Sequence, residues 1–296
     1  MIPGIYKITM AEYLELPAFN SSLATLILSE SPRHAWTNSW LNPNRERETS
    51  KIADIGTVAH TALLEGNFFF VTVIDREDYV GKKGGVPIGW TNDAIREARD
   101  AAYAAGKTPI LKDNMPAIEA MVKVAEEYIG KSDISGVFKF GEPEATIIWQ
   151  DGPTLCKARP DWLSDTTVLH YKTTTGSVNP RVFSRLAENM GYDVALMFYL
   201  RGAAAVDQRE GRSHYILAQE QNAPYACKLF DLSQPMADIA ARKVDRALNA
   251  WASCVASGRW PAYDGSVHSI EITPWAIAAE EQTAFTEKEL EGGIPL

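Results

Sequence analysis

The chain is poor in cysteine: Cys156, Cys227 and Cys254 are the only three in 296 residues, far apart and in no CxxC pair. That number and spacing argue against a disulfide framework, a zinc site or an iron–sulfur cluster, so the three read as core thiols. No run of about 18 apolar residues occurs, and the start "MIPGIYKITMAEYLEL" has no basic stretch ahead of an apolar one. Neither a membrane span nor a signal peptide is expected, and a cytoplasmic protein is the simplest reading. Internal repeats, low-complexity tracts and linkers are missing as well, which predicts a single domain over 1–296. Net positive charge is absent too: 29 Lys and Arg against 38 Asp and Glu give −9. That balance argues against coating of nucleic acid by bulk electrostatics, because such binding is driven by Lys and Arg replacing counterions; a local basic groove is not excluded. Small basic groups stand at "GKKGG" (81–85) and "KARP" (157–160).

What is present is apolar residue at 46% with 23% charged, enough for a substantial buried core. The first third reads as helices. In "NSSLATLILSESPRHAWTNSWL", Ser21 or Ser22 can cap one helix, and Ser31 a second that begins at Pro32. A helix from about Ser50 to Leu64, ended by Gly66, carries "GTVAHTALLEG". After the strand-like "FFFVTVI" (68–74) come helices near 91–105 and 115–129, then a switch to period two, then helices near 181–205 and 235–257. In the last of these Val244, Leu248, Trp251 and Val255 form an apolar stripe expected to be core.

The period-two stretch carries the chemistry. Asp151-Gly152 and "SDTT" (164–167) are turn signals, so "EPEATIIWQ", "TLCKARPDWL" and "TVLHYKTT" are expected to form a three-stranded antiparallel meander. With turns centred on 151–152 and 165–166, position 144 lies opposite 159, 142 opposite 161, 161 opposite 170, and 159 opposite 172. One face then holds Glu142, Glu144, Lys157, Arg159, Asp161, His170 and Lys172, and the other Ile147, Trp149, Trp162, Leu169 and Tyr171. Carboxylates, a histidine and cations packed this densely suit a divalent cation that polarises a phosphoryl oxygen, with a lysine beside it to stabilise negative charge or place a water.

"ARPDW" followed after a turn by "LHYKTT" resembles the PD-(D/E)xK nuclease superfamily, and the flanks are similar to its exonuclease VIII type, found in phages and prophages. "FNSSLATLILSESPRHAW", "GTVAHTALLEG", "EPEATIIW", "GYDVALMFYLRGA", "ILAQEQNAPYACKLFDL" and "WPAYDGSVHSIEITPW" resemble successive segments of that family, in its order and over nearly the whole chain. The resemblance implies an α/β fold, one mixed sheet flanked by helices. It places a metal, Mg²⁺ or Mn²⁺, on His60, Asp161 and position 170, with Glu144 assisting, Lys172 serving the attacking water and Tyr199 near the site. Gly56, one turn before His60, is expected to leave room above its ring. The implied activity is exonucleolytic degradation of one strand from duplex DNA ends, leaving single strand for recombination. Implied with it are a ring-shaped homo-oligomer, a single-strand annealing protein as partner, and the cytoplasm of a bacterial host.

Two positions depart from the family pattern. The acidic residue expected two before Lys172 is His170, and the glutamine expected four before Tyr199 is Ala195. Mg²⁺ prefers oxygen ligands, so imidazole in place of a carboxylate should weaken Mg²⁺ binding and suit Mn²⁺ or other softer ions better. Three readings stay open: an exonuclease working with a softer metal, a relative that binds DNA or protein without cutting, and a chain altered at the site so that DNA binds uncut.

Overall fold

The computed structural model describes residues 2–46, 55–81, 84–272 and 274–291. Met1–Ala262 form one compact unit and Tyr263–Leu296 a second, which contains a helix, Pro274–Glu291. No helix among the described residues is long and apolar enough to cross a membrane.

The first unit opens with β1 (Gly4–Tyr6) and α1 (Met10–Glu15), the latter started by a capping box in which Thr9 and Glu12 satisfy each other's backbone N–H. Helix α2 (Ser21–Ser29) is capped by Asn20, whose Oδ1 accepts from Leu23 N at 3.0 Å, one residue before the expected serines. Ser31 caps α3 (Pro32–Thr37) as expected, with Pro32 in the first turn, where its missing N–H costs nothing. Helix α4 (Ile55–Glu65) carries His60; the expected start at 50–54 lies outside the described residues, as do Lys82 and Lys83 of "GKKGG". Strand β2 (Val71–Ile74), α5 (Asp93–Ala104) and β3 (Thr108–Leu111) make a parallel β-α-β unit, followed by α6 (Met115–Gly130).

Next come the strands β4 (Glu142–Pro143), β5 (Thr146–Asp151), β6 (Thr154–Ala158), β7 (Trp162–Leu163) and β8 (Thr167–Thr174). Helices α7 (Pro180–Asn189) and α8 (Tyr192–Asp207) cross over to β9 (Ser213–Glu220), which lies parallel to β8; β10 (Cys227–Phe230) and α9 (Gln234–Ser257) complete the unit. The expected single helix near 181–205 is two, because Gly191 at φ 67° breaks it. The result is α/β: a mixed five-stranded sheet in the order β10-β9-β8-β7-β4, a three-stranded sheet β1-β5-β6, and helices packed against them.

The expected meander is divided between these two sheets. On one side of the hairpin Glu144 takes φ 54°; on the other, Pro160 has no N–H to give. The ladder stops there and resumes in the same register, with Ile147 opposite Ala158 before the break and Pro143 opposite Trp162 beyond it. The faces nevertheless part. Ile147 and Trp149 pack with α2, α8 and α9, whereas Trp162, Leu169 and Tyr171 pack with α4 and α6. Strand β8 is therefore covered on both sides, which is why the expected division into one polar and one apolar face does not hold. Two members of the expected polar face are elsewhere: Lys157 is buried and donates to the carbonyls of Tyr13 and Leu16, both at 2.8 Å, and exposed Glu142 pairs with Lys7. Of the stripe on α9, Val244, Leu248 and Trp251 are core and Val255 is exposed.

The close packing of α8 on β5 depends on Gly202. A Cβ there would lie 2.6–2.9 Å from three atoms of the Trp149 ring, a rigid neighbour that is itself 1% exposed. Gly202→Ala is expected to lose about 1–3 kcal/mol, read as a fall in Tm. An unchanged Tm would show that this contact relaxes freely.

Candidate metal and nuclease site

At the break between the sheets, the carboxylate of Asp161 is surrounded. Its Oδ2 accepts from the backbone N–H of Tyr171 at 2.7 Å and lies 3.3 Å from His60 Nε2, 3.6 Å from His170 Nε2 and 3.7 Å from Lys172 Nζ. Helix α4 delivers His60 from one side of β8, while β8 itself presents His170 toward α8, on the other side, and carries Lys172 two residues on. The pairing of Trp162 with Leu169 keeps the expected register of 161 opposite 170. The first hairpin is shifted by two, closing with Asp151 opposite Thr154 around Gly152 and Pro153. Side chains keep their alternation under such a shift, but the glutamate next to Asp161 changes: Glu144 N donates to Asp161 O at 3.1 Å, and Glu142 is displaced outward.

Three donor groups then fit one ion. His60, Glu144 and Asp161 each offer a ligand atom, all within 4.8 Å of one another, as donors at about 2.0–2.6 Å from a shared cation must be. Among the described residues His170 is not in that group. It is stacked beside Tyr199, with centroids 5.3 Å apart and planes at 18°, and near Tyr192; its Nδ1 is buried and has no hydrogen-bond partner among the described residues. Glu144 is held by Arg159, whose Nε donates to Oε2 at 2.6 Å while Nη1 donates to the Ile8 carbonyl and Thr146 Oγ1. A groove of about 650 Å³ opens beside Glu144 and Arg159, with Lys7, Leu64, Asn67 and Trp162 in its walls. Lys172 has 28% of its side chain exposed and His60 20%, against 5% for His170, so the first two are open to solvent and His170 is enclosed.

The other expected neighbours are placed as follows. Tyr199 is buried behind His170, hydrogen-bonded with Ser21, and its phenol is pushed well up by burial. Ala195 is core. The space at Gly56 is taken by Gln221 and Thr173, which a Cβ would meet at 2.2 and 2.3 Å, so this glycine serves the close approach of α4 to the strand ends rather than room above the His60 ring. The sequence reading missed the roles of Tyr171, whose ring lies parallel to His60, and of Arg159 as the cation bound to Glu144. A tyrosine between His170 and Lys172 was the available signal, but its apolar-face position hid it.

Burial alone would raise the Asp161 carboxyl; Lys172, His170 and His60 outweigh it and hold the group far below the usual carboxylate range. Burial, reinforced by Lys172, pushes His170 down to about 3 against the pull of Asp161. In the folded state His170 is neutral, whereas in the unfolded chain it binds a proton below about 6.5. The unfolded state thus holds more protons between these values, so stability must fall as pH drops through that window, by up to about 1.4 kcal/mol per unit. Urea denaturation with a chelator present, at intervals between pH 6.5 and 4, is expected to show this slope in the parent and its loss in His170→Gln. An equal slope in both would assign the proton uptake to other groups.

The family model for the PDDEXK-like domain of unknown function (DUF3799) matches residues 22–273. Among solved structures, a candidate exonuclease from Eubacterium rectale superposes with a TM-score of 0.52 at 10% identity, covering 93% of this chain and 99% of that one. An alkaline exonuclease from Laribacter hongkongensis matches at 16% identity, over 56% of this chain and 84% of that one, with a TM-score of 0.25. No curated protein matches. Motif, mixed sheet and family match agree, and the chain belongs to the family of PDDEXK-like domains.

Proposed function

We propose that this protein is a divalent-metal-dependent exodeoxyribonuclease that resects the ends of duplex DNA, leaving single strand for recombination. What carries the reading is the gathering of His60, Glu144, Asp161 and Lys172 at one buried carboxylate beside an open groove. The fold likeness to the candidate exonuclease supports it. His60, Glu144 and Asp161 would hold the metal, which when bound polarises a phosphoryl oxygen and makes a water more acidic. Lys172, anchored on Asp161 and partly exposed, meets the negative charge that grows on the phosphate and orders the attacking water. Arg159 holds the Glu144 carboxylate through its Nε at 2.6 Å. His170 supplies no charge where the superfamily motif has a carboxylate, so activity in Mg²⁺ is weak and Mn²⁺ restores part of it.

The test is digestion of end-labelled linear duplex and of covalently closed circles, with Mg²⁺ and Mn²⁺ in parallel. Linear DNA is expected to be degraded in Mn²⁺ and closed circles spared. Equal cutting of circles would make the enzyme an endonuclease, and intact linear DNA in both metals, with ends still bound, would leave a non-catalytic binding module.

The same reading includes a ring of copies around DNA, acting beside a single-strand annealing protein in the cytoplasm of a bacterial host. A chain of net charge −9 has little other means of staying on its substrate. Light scattering is expected to give a multiple of 32.7 kDa; the monomer alone, with and without DNA, would sink the ring.

A further inference from the structure

Tyr171, 1% exposed, meets the candidate metal site twice. Its backbone N–H donates to Asp161 Oδ2, and its ring stacks on the His60 imidazole with centroids 5.3 Å apart and planes 5° from parallel. One residue of β8 therefore sets the carboxylate through its peptide and the plane of the imidazole through its ring. The ring is held in turn: its hydroxyl donates to Gln219 Oε1. Gln219, on β9, is fully buried, and its Nε2 donates to the carbonyls of Met121 at 2.9 Å and Tyr225 at 3.1 Å. Two carbonyls fix the amide in one orientation, since a flipped amide would set oxygen against oxygen; Oε1 must then face Tyr171. The side chains of Met121 and Tyr225 pack in the same cluster as Val58 and Ala59, the two residues before His60 on α4. A single glutamine thus braces both the ring on which His60 lies and the backbone against which its helix packs.

We propose that Tyr171 and Gln219 are positioning residues that hold the His60 imidazole in place beside Asp161 and so raise the affinity of the site for a divalent cation. The proposal rests on the metal reading given above. An imidazole free to turn must be ordered when the ion binds, and ordering it in advance removes that cost from binding. Groups hydrogen-bonded behind metal ligands are worth about 10–100-fold in affinity, and the low end of that range is the scale expected for bracing through a stacked ring.

The experiment is a Mn²⁺ titration, followed by the electron-spin resonance of the free ion, on the parent and on Tyr171→Phe, His60→Ala and the double variant. Tyr171→Phe keeps the ring but leaves Gln219 Oε1 without its donor. It is expected to weaken Mn²⁺ binding about tenfold in the parent and by less than about twofold when His60 is already Ala. An equal loss in both backgrounds means a general structural role and overturns the proposal; so does no loss in the parent background. A parent that takes up no Mn²⁺ overturns the metal reading itself and the proposal with it, whereas a Mn²⁺-binding parent with unaltered Tyr171→Phe overturns the positioning alone. If near-ultraviolet circular dichroism shows Tyr171→Phe unfolded, Gln219→Met, which frees the hydroxyl while leaving the ring on β8, takes its place in the same cycle with the same outcomes.

Discussion

Asp161→Asn is expected to lower cleavage of linear duplex in Mn²⁺ by about a thousandfold or more. The substitution keeps the shape of the side chain and an oxygen for the Tyr171 N–H, but removes the anion on which His60, His170 and Lys172 converge. A thousandfold is about 4 kcal/mol of transition-state stabilisation, the several kcal/mol that a metal's charge supplies at a phosphate. Folding is read separately. The carboxyl is held below its ordinary value in the native state, so its contribution to stability is present above about pH 4 and lost as pH falls below it. The metal-free variant should therefore be somewhat less stable than the parent at neutral pH and should lack the steepest part of its acid unfolding. Full activity in a folded Asp161→Asn protein would remove this site from the chemistry.

His170→Asp should act in the opposite direction, raising Mg²⁺-dependent cleavage by about tenfold or more, or about 1.4 kcal/mol. The reason is charge and hardness: a carboxylate at 170 faces Asp161 across the same position that imidazole now occupies, and Mg²⁺ is held by oxygen anions far better than by a neutral nitrogen. The structure adds a second expectation. Position 170 is buried beside Tyr199 and Tyr192, so without metal the added anion is desolvated and the variant should melt below the parent; Mg²⁺ should restore more stability to the variant than to the parent. His170→Glu, which reaches about as far as the imidazole Nε2, is the parallel variant, and Lys172→Ala the control. If neither acidic variant exceeds the parent in Mg²⁺ while all of them bind duplex ends, the site has lost catalysis for reasons other than the ligand at 170, and the binding module is the better account.

Much of this site was legible because its parts are local. The turn at 165–166, a period-two pattern and an apolar alternation sufficed to set Asp161 opposite His170, and the structure keeps that pairing through Trp162 and Leu169. The helix bearing "GTVAH" and the nuclease resemblance were likewise read from short segments, and His60 does come to Asp161. The first hairpin was misread by two residues, since Asp151-Gly152 and Gly152-Pro153 are competing turn signals a residue apart and the closing pair, Asp151 with Thr154, decides between them. That small error mattered, because it chose between Glu142 and Glu144 as the neighbour of Asp161.

By itself, then, the amino-acid sequence determined the elements with strong periodicity, the lack of a membrane-spanning run, and the residue types at the site: an acid, a histidine and a lysine on adjoining strands. Only the tertiary structure decided where the hairpin breaks between two sheets, with both faces of β8 buried and Lys157 turned to the carbonyls of Tyr13 and Leu16. It also decided which residues brace His60. Gln219 lies 48 residues from Tyr171 and 98 from Met121 along the chain, so their hydrogen bonds have no local signature. The physical reason is one of range: turns and periodicity arise from neighbours in sequence, while a buried amide finds its partners wherever packing brings unsatisfied groups together.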